Sequence, residues 1–237
     1  MIFDVDGTLV DSNDAHARAW LRAFAEHGIT VAYEPVRRAI GMGGDKLMPR
    51  VSGIEEDSKT GKAIAEKRAE IFRKEFLPTL RAFPHTRELV TCLKDDGYTL
   101  AVASSAKEEE LHPLLEIANV ADLIPTRTSS DDAEHSKPDP DIVAAALKRT
   151  RSPAGAAFMI GDTPYDVEAS SRAGIRAVAL ECGGWGCGDL GGAVACYRDP
   201  ADLLARYTES VLARVHARPE PVRTHSGQVL RRGSGPG

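Results

Sequence analysis

The side chains best equipped for chemistry stand in the first dozen residues, Met1-Ile2-Phe3-Asp4-Val5-Asp6-Gly7-Thr8-Leu9-Val10-Asp11-Ser12. A short apolar run ends in two carboxylates two residues apart, followed at once by Gly-Thr. With residues 1–3 as a buried strand, side chains alternate in direction, so Asp4 and Asp6 project the same way at its carboxyl end. Gly7 lets the backbone turn sharply there. Two carboxylates so close repel unless a cation or a proton intervenes. The pair therefore asks for a metal, an acid/base role, or both. The plainer reading, an acidic turn capping the next helix, suits Asp11-Ser12 better than carboxylates directly behind an apolar strand.

Other polar residues recur at the same kind of place. The pattern predicts strands at 98–103, 123–126, 156–160 and 175–180, with helices between them. Ser104 follows the second strand. Asp162 follows the fourth, a continuous apolar run of the kind buried on both faces, and Asp166 comes four residues later. Lys137 lies in the loop Ser136-Lys137-Pro138-Asp139-Pro140 ahead of a helix. Strands alternating with helices indicate a parallel sheet with helices on both sides, and in an open α/β sheet ligands bind at the carboxyl edge. Each residue alone is a weak signal; their order together is a strong one.

The segment that interrupts this alternation is helical throughout. Asp11, Ser12, Asn13 and Asp14 are N-cap candidates, and Ala17, Trp20, Leu21 and Phe24 then recur at helical spacing up to Gly28. Helices at 34–40, 45–51 and 58–76 follow, with the glycine-rich break Gly41-Met42-Gly43-Gly44 between the first two. We therefore read 1–12 and 81–217 as an α/β core and 13–80 as an inserted helical domain. A helix is predicted at 200–215. The last stretch, 218–237, is rich in Gly, Pro, Arg and Ser and is read as a disordered tail.

Composition removes several classes. With 42% hydrophobic and 27% charged residues the chain is ordinary for a globular protein. A net charge of -5 gives no basic footprint for nucleic acid. No apolar run approaches the roughly 18 residues of a membrane span, and Met1 leads straight into the carboxylate pair, so the cytoplasm is the expected compartment. Cys92, Cys182, Cys187 and Cys196 form no Cys-x-x-Cys pair. They read as ordinary reduced thiols, with a zinc site at Cys182 and Cys187 as the alternative. Nothing in the sequence speaks to oligomeric state.

Taken in order, these motifs resemble the haloacid dehalogenase superfamily, in its phosphatase and β-phosphoglucomutase-like branch with a helical cap. Asp4-Val5-Asp6-Gly7-Thr8 is similar to the family's first motif, Ser104 to its second, Lys137 to its third, and Gly161-Asp162-Thr163-Pro164-Tyr165-Asp166 to its fourth. The resemblance covers about residues 1–210. It implies a Rossmann-like sheet in strand order 5-4-1-2-3 and a Mg²⁺ ion held by Asp4, the Asp6 main-chain carbonyl, Asp162 and waters, with Asp166 as ligand or close partner. It also implies that Asp4 is the nucleophile that takes up a phosphoryl group and that Asp6 is the acid/base, served best by a pKa raised toward neutrality. Ser104, expected at a helix N-terminus, and Lys137 would bind phosphate oxygens.

A charge count supports the cation. Four carboxylates with Asp6 protonated carry -3, Lys137 returns +1, and the remaining -2 would repel a phosphate dianion unless Mg²⁺ cancels it. An acid at the Asp6 position sets the chain apart from the family's dehalogenases and carbon–phosphorus hydrolases. The expected activity is hydrolysis of a small phosphorylated metabolite. His16, on a first-helix position that can face the site, and Lys46, in the loop where relatives read their substrates, are candidate substrate contacts; packing and surface charge are the ordinary alternatives. The competing activities are a sugar-phosphate mutase of the β-phosphoglucomutase type and a receiver-like phosphoacceptor module. The loop lacks an arginine comparable to the one the mutase branch uses, and a receiver would need neither a helical insertion nor an acid two residues after the phosphoacceptor.

Overall fold

A computed structural model describes residues 1–215 of the chain; the tail expected at 218–237 lies outside the described residues. Six short strands form one sheet: β1 (Ile2–Phe3), β2 (Ala101–Ala103), β3 (Thr126–Thr128), β4 (Phe158–Gly161), β5 (Arg176–Leu180) and β6 (Ala195–Tyr197). All neighbours are parallel, in the order β3-β2-β1-β4-β5-β6. The five expected strands are neighbours in the expected sequence, and β6 extends the sheet beyond β5. A three-residue strand behind a glycine-rich loop gave no periodic signal. The third strand starts later than its apolar run suggests, because Val120, Leu123 and Ile124 turn into the core after the preceding helix instead of extending.

β1 runs down the centre, paired through Ile2 and Phe3 with Ala101 and Val102 on one side and with Met159 and Ile160 on the other. Its two side chains serve opposite layers. Phe3 packs with Val102, Ile160, Val178 and the helices that cover one face. Ile2 packs with Ala101, Met159 and α7 (Asp141–Thr150), through Ile142, Val143 and Ala146, on the other. A parallel sheet covered on both faces needs such uniformly apolar strands.

Between β1 and β2 the chain leaves the sheet and runs through α1 (Asn13–Glu26), α2 (Tyr33–Ala39), α3 (Gly44–Ser52) and α4 (Lys59–Ile71), with a π-turn at Phe72–Phe76 where the sequence predicts uninterrupted helix. It returns through α5 (Thr86–Asp95). α6 (Glu108–Ile117), α7 and α8 (Pro164–Arg172) follow β2, β3 and β4. The single helix expected at 200–215 is broken into α9 (Pro200–Ala205), a 3₁₀ turn and α10 (Val211–Val215). Ser210 interrupts it: its Oγ accepts from the Leu212 and Ala213 N–H groups and starts a new helix.

The cysteine reading needs correction. Cys187 and Cys196 are joined in a disulfide, with Cα atoms 6.0 Å apart, and only Cys92 and Cys182 are free. Folding of the glycine-rich loop after β5 carries Cys187 back to β6, a juxtaposition that the nine-residue separation does not announce.

Candidate active site

The loop after β1 is built around one carbonyl. Val5 O accepts from the N–H groups of Thr8, Leu9 and Val10, and Gly7 closes the turn with its own N–H on Val10 O. Gly7 has φ +76°, and a Cβ there would lie 2.3 Å from Asp162 Oδ2, so the tightness of this turn is what brings β1 and β4 chemistry together. Asp4 remains anchored in the sheet through its N–H on Ile160 O, 2.9 Å.

Asp4, Asp162 and Asp166 converge at the carboxyl ends of β1 and β4, with one oxygen of each lying within 4.8 Å of the others. All three are buried. Lys137, fully buried, stands between two of them: its Nζ donates to Asp4 Oδ1 at 2.6 Å and lies 2.8 Å from Asp166 Oδ1. That second approach lacks hydrogen-bond geometry, which leaves Asp166 Oδ1 buried with a Coulombic contact alone. The other Asp166 oxygen completes a capping box at the start of α8, accepting from the Thr163 hydroxyl and N–H. Asp162 is oriented by Thr8 Oγ1 at 2.8 Å and Asn13 Nδ2 at 2.9 Å.

The electrostatics follow from crowding. Burial, with the neighbouring Asp166 and Asp162 carboxylates, holds the Asp4 carboxyl well above its ordinary range despite Lys137. Burial and Asp166 push Asp162 up to about 7, against the hydrogen bonds from Thr8 and Asn13. Lys137 moves the other way from a desolvated lysine. Burial would lower its pKa, but Asp166 and Asp4 raise it, so it is a cation. Were all three carboxylates ionised, one ammonium would leave -2, an excess that adds to burial in holding the Asp4 and Asp162 pKa values up. The donor set is hard oxygen, one carboxylate oxygen has no hydrogen bond, and glycines wall the cluster; a Cβ at Gly183 would lie 1.7 Å from Asp162 Oδ2. These residues fit Mg²⁺, which favours oxygen ligands.

Asp6 lies in a different environment. Its Oδ1 accepts from Ser12 Oγ at 2.5 Å and lies 2.7 Å from His16 Nε2. His16 Nδ1 is 2.6 Å from an Arg68 Nη2, and Arg68 Nη1 reaches both Glu110 oxygens at 2.7 Å. Arginine has only donors, so His16 Nδ1 must accept, and the network assigns the ring proton to Nε2, aimed at Asp6. The imidazole is stacked on Phe72, with ring centres 4.0 Å apart. Burial alone would raise the Asp6 pKa, but His16, Ser12 and Arg68 outweigh it and hold the carboxyl below its ordinary value. The expectation of a raised Asp6 is therefore corrected: Asp6 is a stabilised carboxylate here.

Ser104 ends β2, buried, with its N–H on Thr128 O and its Oγ accepting from Ala106 N–H at 3.0 Å. α6 begins only at Glu108, so Ser104 stands in the loop ahead of the helix and not on its first turn. His16 joins the site. Lys46 does not: its ammonium is paired with Asp139, two residues beyond Lys137, and Arg172 Nη1 holds the same carboxylate at 2.7 Å. A cleft of about 50 Å³ opens over Asp4 and Asp6, and from the inserted helices it is lined by His16, Trp20, Arg68 and the Ile40–Met42 turn. A larger open groove of about 750 Å³ lies on α5 beside Arg87, Thr91 and Asn119 and shares no residue with the carboxylate cluster.

Five residues that shape the site were not singled out as its parts. Thr8 lies within the first motif and Asn13 and Ser12 were read as helix caps, yet Ser12 makes no side-chain cap bond to α1. The polar start of the helix is spent on Asp6 and Asp162 instead. Arg68 and Glu110 lie on charged helices without any pattern to mark them.

Residues 1–180 match the family described as haloacid dehalogenase-like hydrolase. "Probable phosphatase IndB" of Dickeya dadantii is 31% identical over 189 residues, 77% of this chain and 81% of its own length. A phosphoglycolate phosphatase of Pseudomonas syringae pv. syringae is 31% identical over 188 residues, 77% of this chain and 69% of its own length. The crystal structure of a hydrolase from Pseudomonas syringae superposes with a TM-score of 0.81 at 30% identity, covering 88% of this chain and 97% of that one. With its parallel sheet and the four motifs gathered at one edge, this chain belongs to the haloacid dehalogenase-like hydrolase family and is an enzyme of that class.

Proposed function

We propose that this enzyme is a Mg²⁺-dependent phosphatase that hydrolyses a small phosphorylated metabolite through a phosphoryl group carried on Asp4. The observation that carries this reading is the Asp4 carboxylate at the end of β1, held by a buried lysine and opening onto the cleft. Asp4 attacks phosphorus and the alcohol departs, giving an aspartyl-phosphate that water then hydrolyses. Lys137 and Ser104 bind phosphate oxygens. Asp6 donates the proton to the departing alcohol and accepts one from the attacking water. Its carboxylate is ready for the second task; the approach of a phosphate dianion raises its proton affinity for the first. Asp4, the Asp6 carbonyl, Asp162 and Asp166 would hold Mg²⁺, which when bound neutralises the carboxylates and the phosphate charge.

The helices of 13–80 act in this reading as a cap over the core. Direct polar contacts join the two: Ser105 Oγ donates to Gly41 O, Tyr165 donates to Arg38 O, and Lys46 meets Asp139. The mutase alternative requires a grip on a second phosphate. Arg68 lines the cleft, but its guanidinium is already divided between Glu110 and His16. Release of inorganic phosphate from a panel of phosphomonoesters, with EDTA and with Mg²⁺ restored, tests the reading. Turnover should vanish with chelation and return with the metal. Full activity in chelator would remove the metal role, and glucose 6-phosphate formed faster than phosphate from β-glucose 1-phosphate would favour the mutase.

A further inference from the structure

The loop from β5 to β6 carries six glycines between residues 183 and 192 and has few side chains of its own to hold it. It is nevertheless the joint between the carboxylate cluster and α2. Gly183 O accepts from Asn13, which orients Asp162, and from Arg37 Nη2 at 2.6 Å. Two residues on, the Trp185 ring lies 4.3 Å beneath the Arg38 guanidinium. Its backbone bonds are short-range turns (Gly184 N–H on Glu181 O, Asp189 N–H on Gly186 O, Leu190 N–H on Cys187 O), and so many glycines give it a large conformational entropy to lose. Burial of Leu190 against Val167, Ala177 and Ala179 anchors one point of it, and a covalent constraint adds a second. Cys187 is tied to Cys196, whose backbone is registered against Ala179 of β5, so the loop is pinned to the sheet. Cys187 is exposed, within reach of dissolved thiols and disulfides.

We propose that Cys187 and Cys196 form a reversible redox switch that sets how firmly α2, which leads into the Ile40–Met42 wall of the cleft, is docked. Closing the bond takes two protons and two electrons from the two thiols; a small-molecule disulfide accepts them by exchange and leaves as two thiols. The closed bond pins the loop so that Gly183 and Trp185 stay under Arg37 and Arg38. The open pair lets the loop move, loosens α2 and weakens substrate binding more than turnover. Cys92 and Cys182 stand outside the switch.

The full-length enzyme, reduced with dithiothreitol or treated with oxidised glutathione, provides the test. Oxidation should lower the count of maleimide-reactive thiols from four to two, with the bond mapped by peptide mass to Cys187 and Cys196. Reduction should speed amide hydrogen exchange in residues 183–192 and in α2. With a chromogenic phosphomonoester it should raise KM about three- to ten-fold and change kcat less than about two-fold. Cys187→Ser and Cys196→Ser should match the reduced enzyme and ignore the oxidant, while Cys92→Ser keeps the response. The kinetic arm rests on the phosphatase reading, whereas thiol count and exchange do not, so the two can fail separately. Four reactive thiols after oxidation would overturn the proposal. So would equal exchange in both states, or one zinc per chain held by Glu181, Cys187 and Cys196, whose ligand atoms lie within 4.8 Å.

Discussion

Asp4 and Asp6 stand two residues apart on one turn of chain, yet the two sides of the molecule treat them oppositely. The core side buries Asp4 and surrounds it with two further carboxylates against one ammonium, which together drive its pKa up. The helical side gives Asp6 a histidine, a serine hydroxyl and an arginine behind the histidine, which together hold its pKa down. Identical functional groups thus receive different roles from their surroundings. The crowded side is suited to a cation and to displacement at phosphorus. The hydrogen-bonded side fixes one carboxylate in position, as the proposed proton transfer requires, and ties that position to helices α1 and α4.

Breaking the core side should have the largest effect. Asp4→Asn keeps the shape and the contact to Lys137 but removes the proposed nucleophile, so phosphate release should fall by at least about 10³-fold with the melting temperature nearly unchanged. Asp6→Asn should form phosphoenzyme from an activated aryl phosphate but hydrolyse it slowly, since that leaving group needs no acid. A second test of the same side concerns stability. Lys137→Met leaves Asp4 and Asp166 buried without their cation, and loss of one partner of a buried ion pair costs about 3–5 kcal/mol. Denaturant unfolding in EDTA should show this loss, and Mg²⁺ should recover part of it.

The helical side can be tested through its pH dependence. Because the folded pKa of Asp6 is depressed, the interaction with His16 contributes stability above the ordinary value of 3.8 and loses it as pH falls through the lowered folded value. A double-mutant cycle of Asp6→Asn and His16→Gln should therefore give about 1 kcal/mol of coupling at pH 7. The coupling should fade in acid below 3.8. Coupling that persisted there would mean that the pair is held by packing on Phe72 and not by charge. The smallest effect is expected at Lys46. It is engaged with Asp139 outside the cleft, so Lys46→Ala should change kcat and KM by less than about three-fold, because partly exposed ion pairs contribute about 0–1 kcal/mol.

The core side was far more legible in the sequence than the helical side, for a physical reason. A strand end displays its functional groups in chain order, so Asp4, Asp162 and Asp166 could be read from an apolar run followed by acid, and Lys137 from its loop. The alternation indicated a parallel sheet, while the β3-β2-β1-β4-β5 order was implied by the family resemblance. β6 and the break at Ser210 left no period to read. The partners of Asp6 are set by the packing of α4 against α1 and by the reach of Glu110 from α6 to Arg68, and Arg68 and Glu110 are two charges among many on amphipathic helices. Ser12 and Asn13 were visible but ambiguous: a residue that can cap a helix can equally hold a carboxylate, and only the tertiary fold decides. Lys46 shows the converse, a cation in a substrate-reading loop that tertiary contact with Asp139 takes out of the cleft. Cys187 and Cys196 meet only because a loop of glycines folds back on the sheet edge.

The most direct test of the account is to trap the phosphoryl group. Rapid acid quench of the Mg²⁺-loaded enzyme during turnover of a ³²P-labelled phosphomonoester, followed by peptide mapping, should place the label on the amino-terminal peptide at Asp4, at a stoichiometry that rises in Asp6→Asn. Label on Asp6, Asp162 or Asp166, or turnover in which no acyl-phosphate forms at any time, would contradict it.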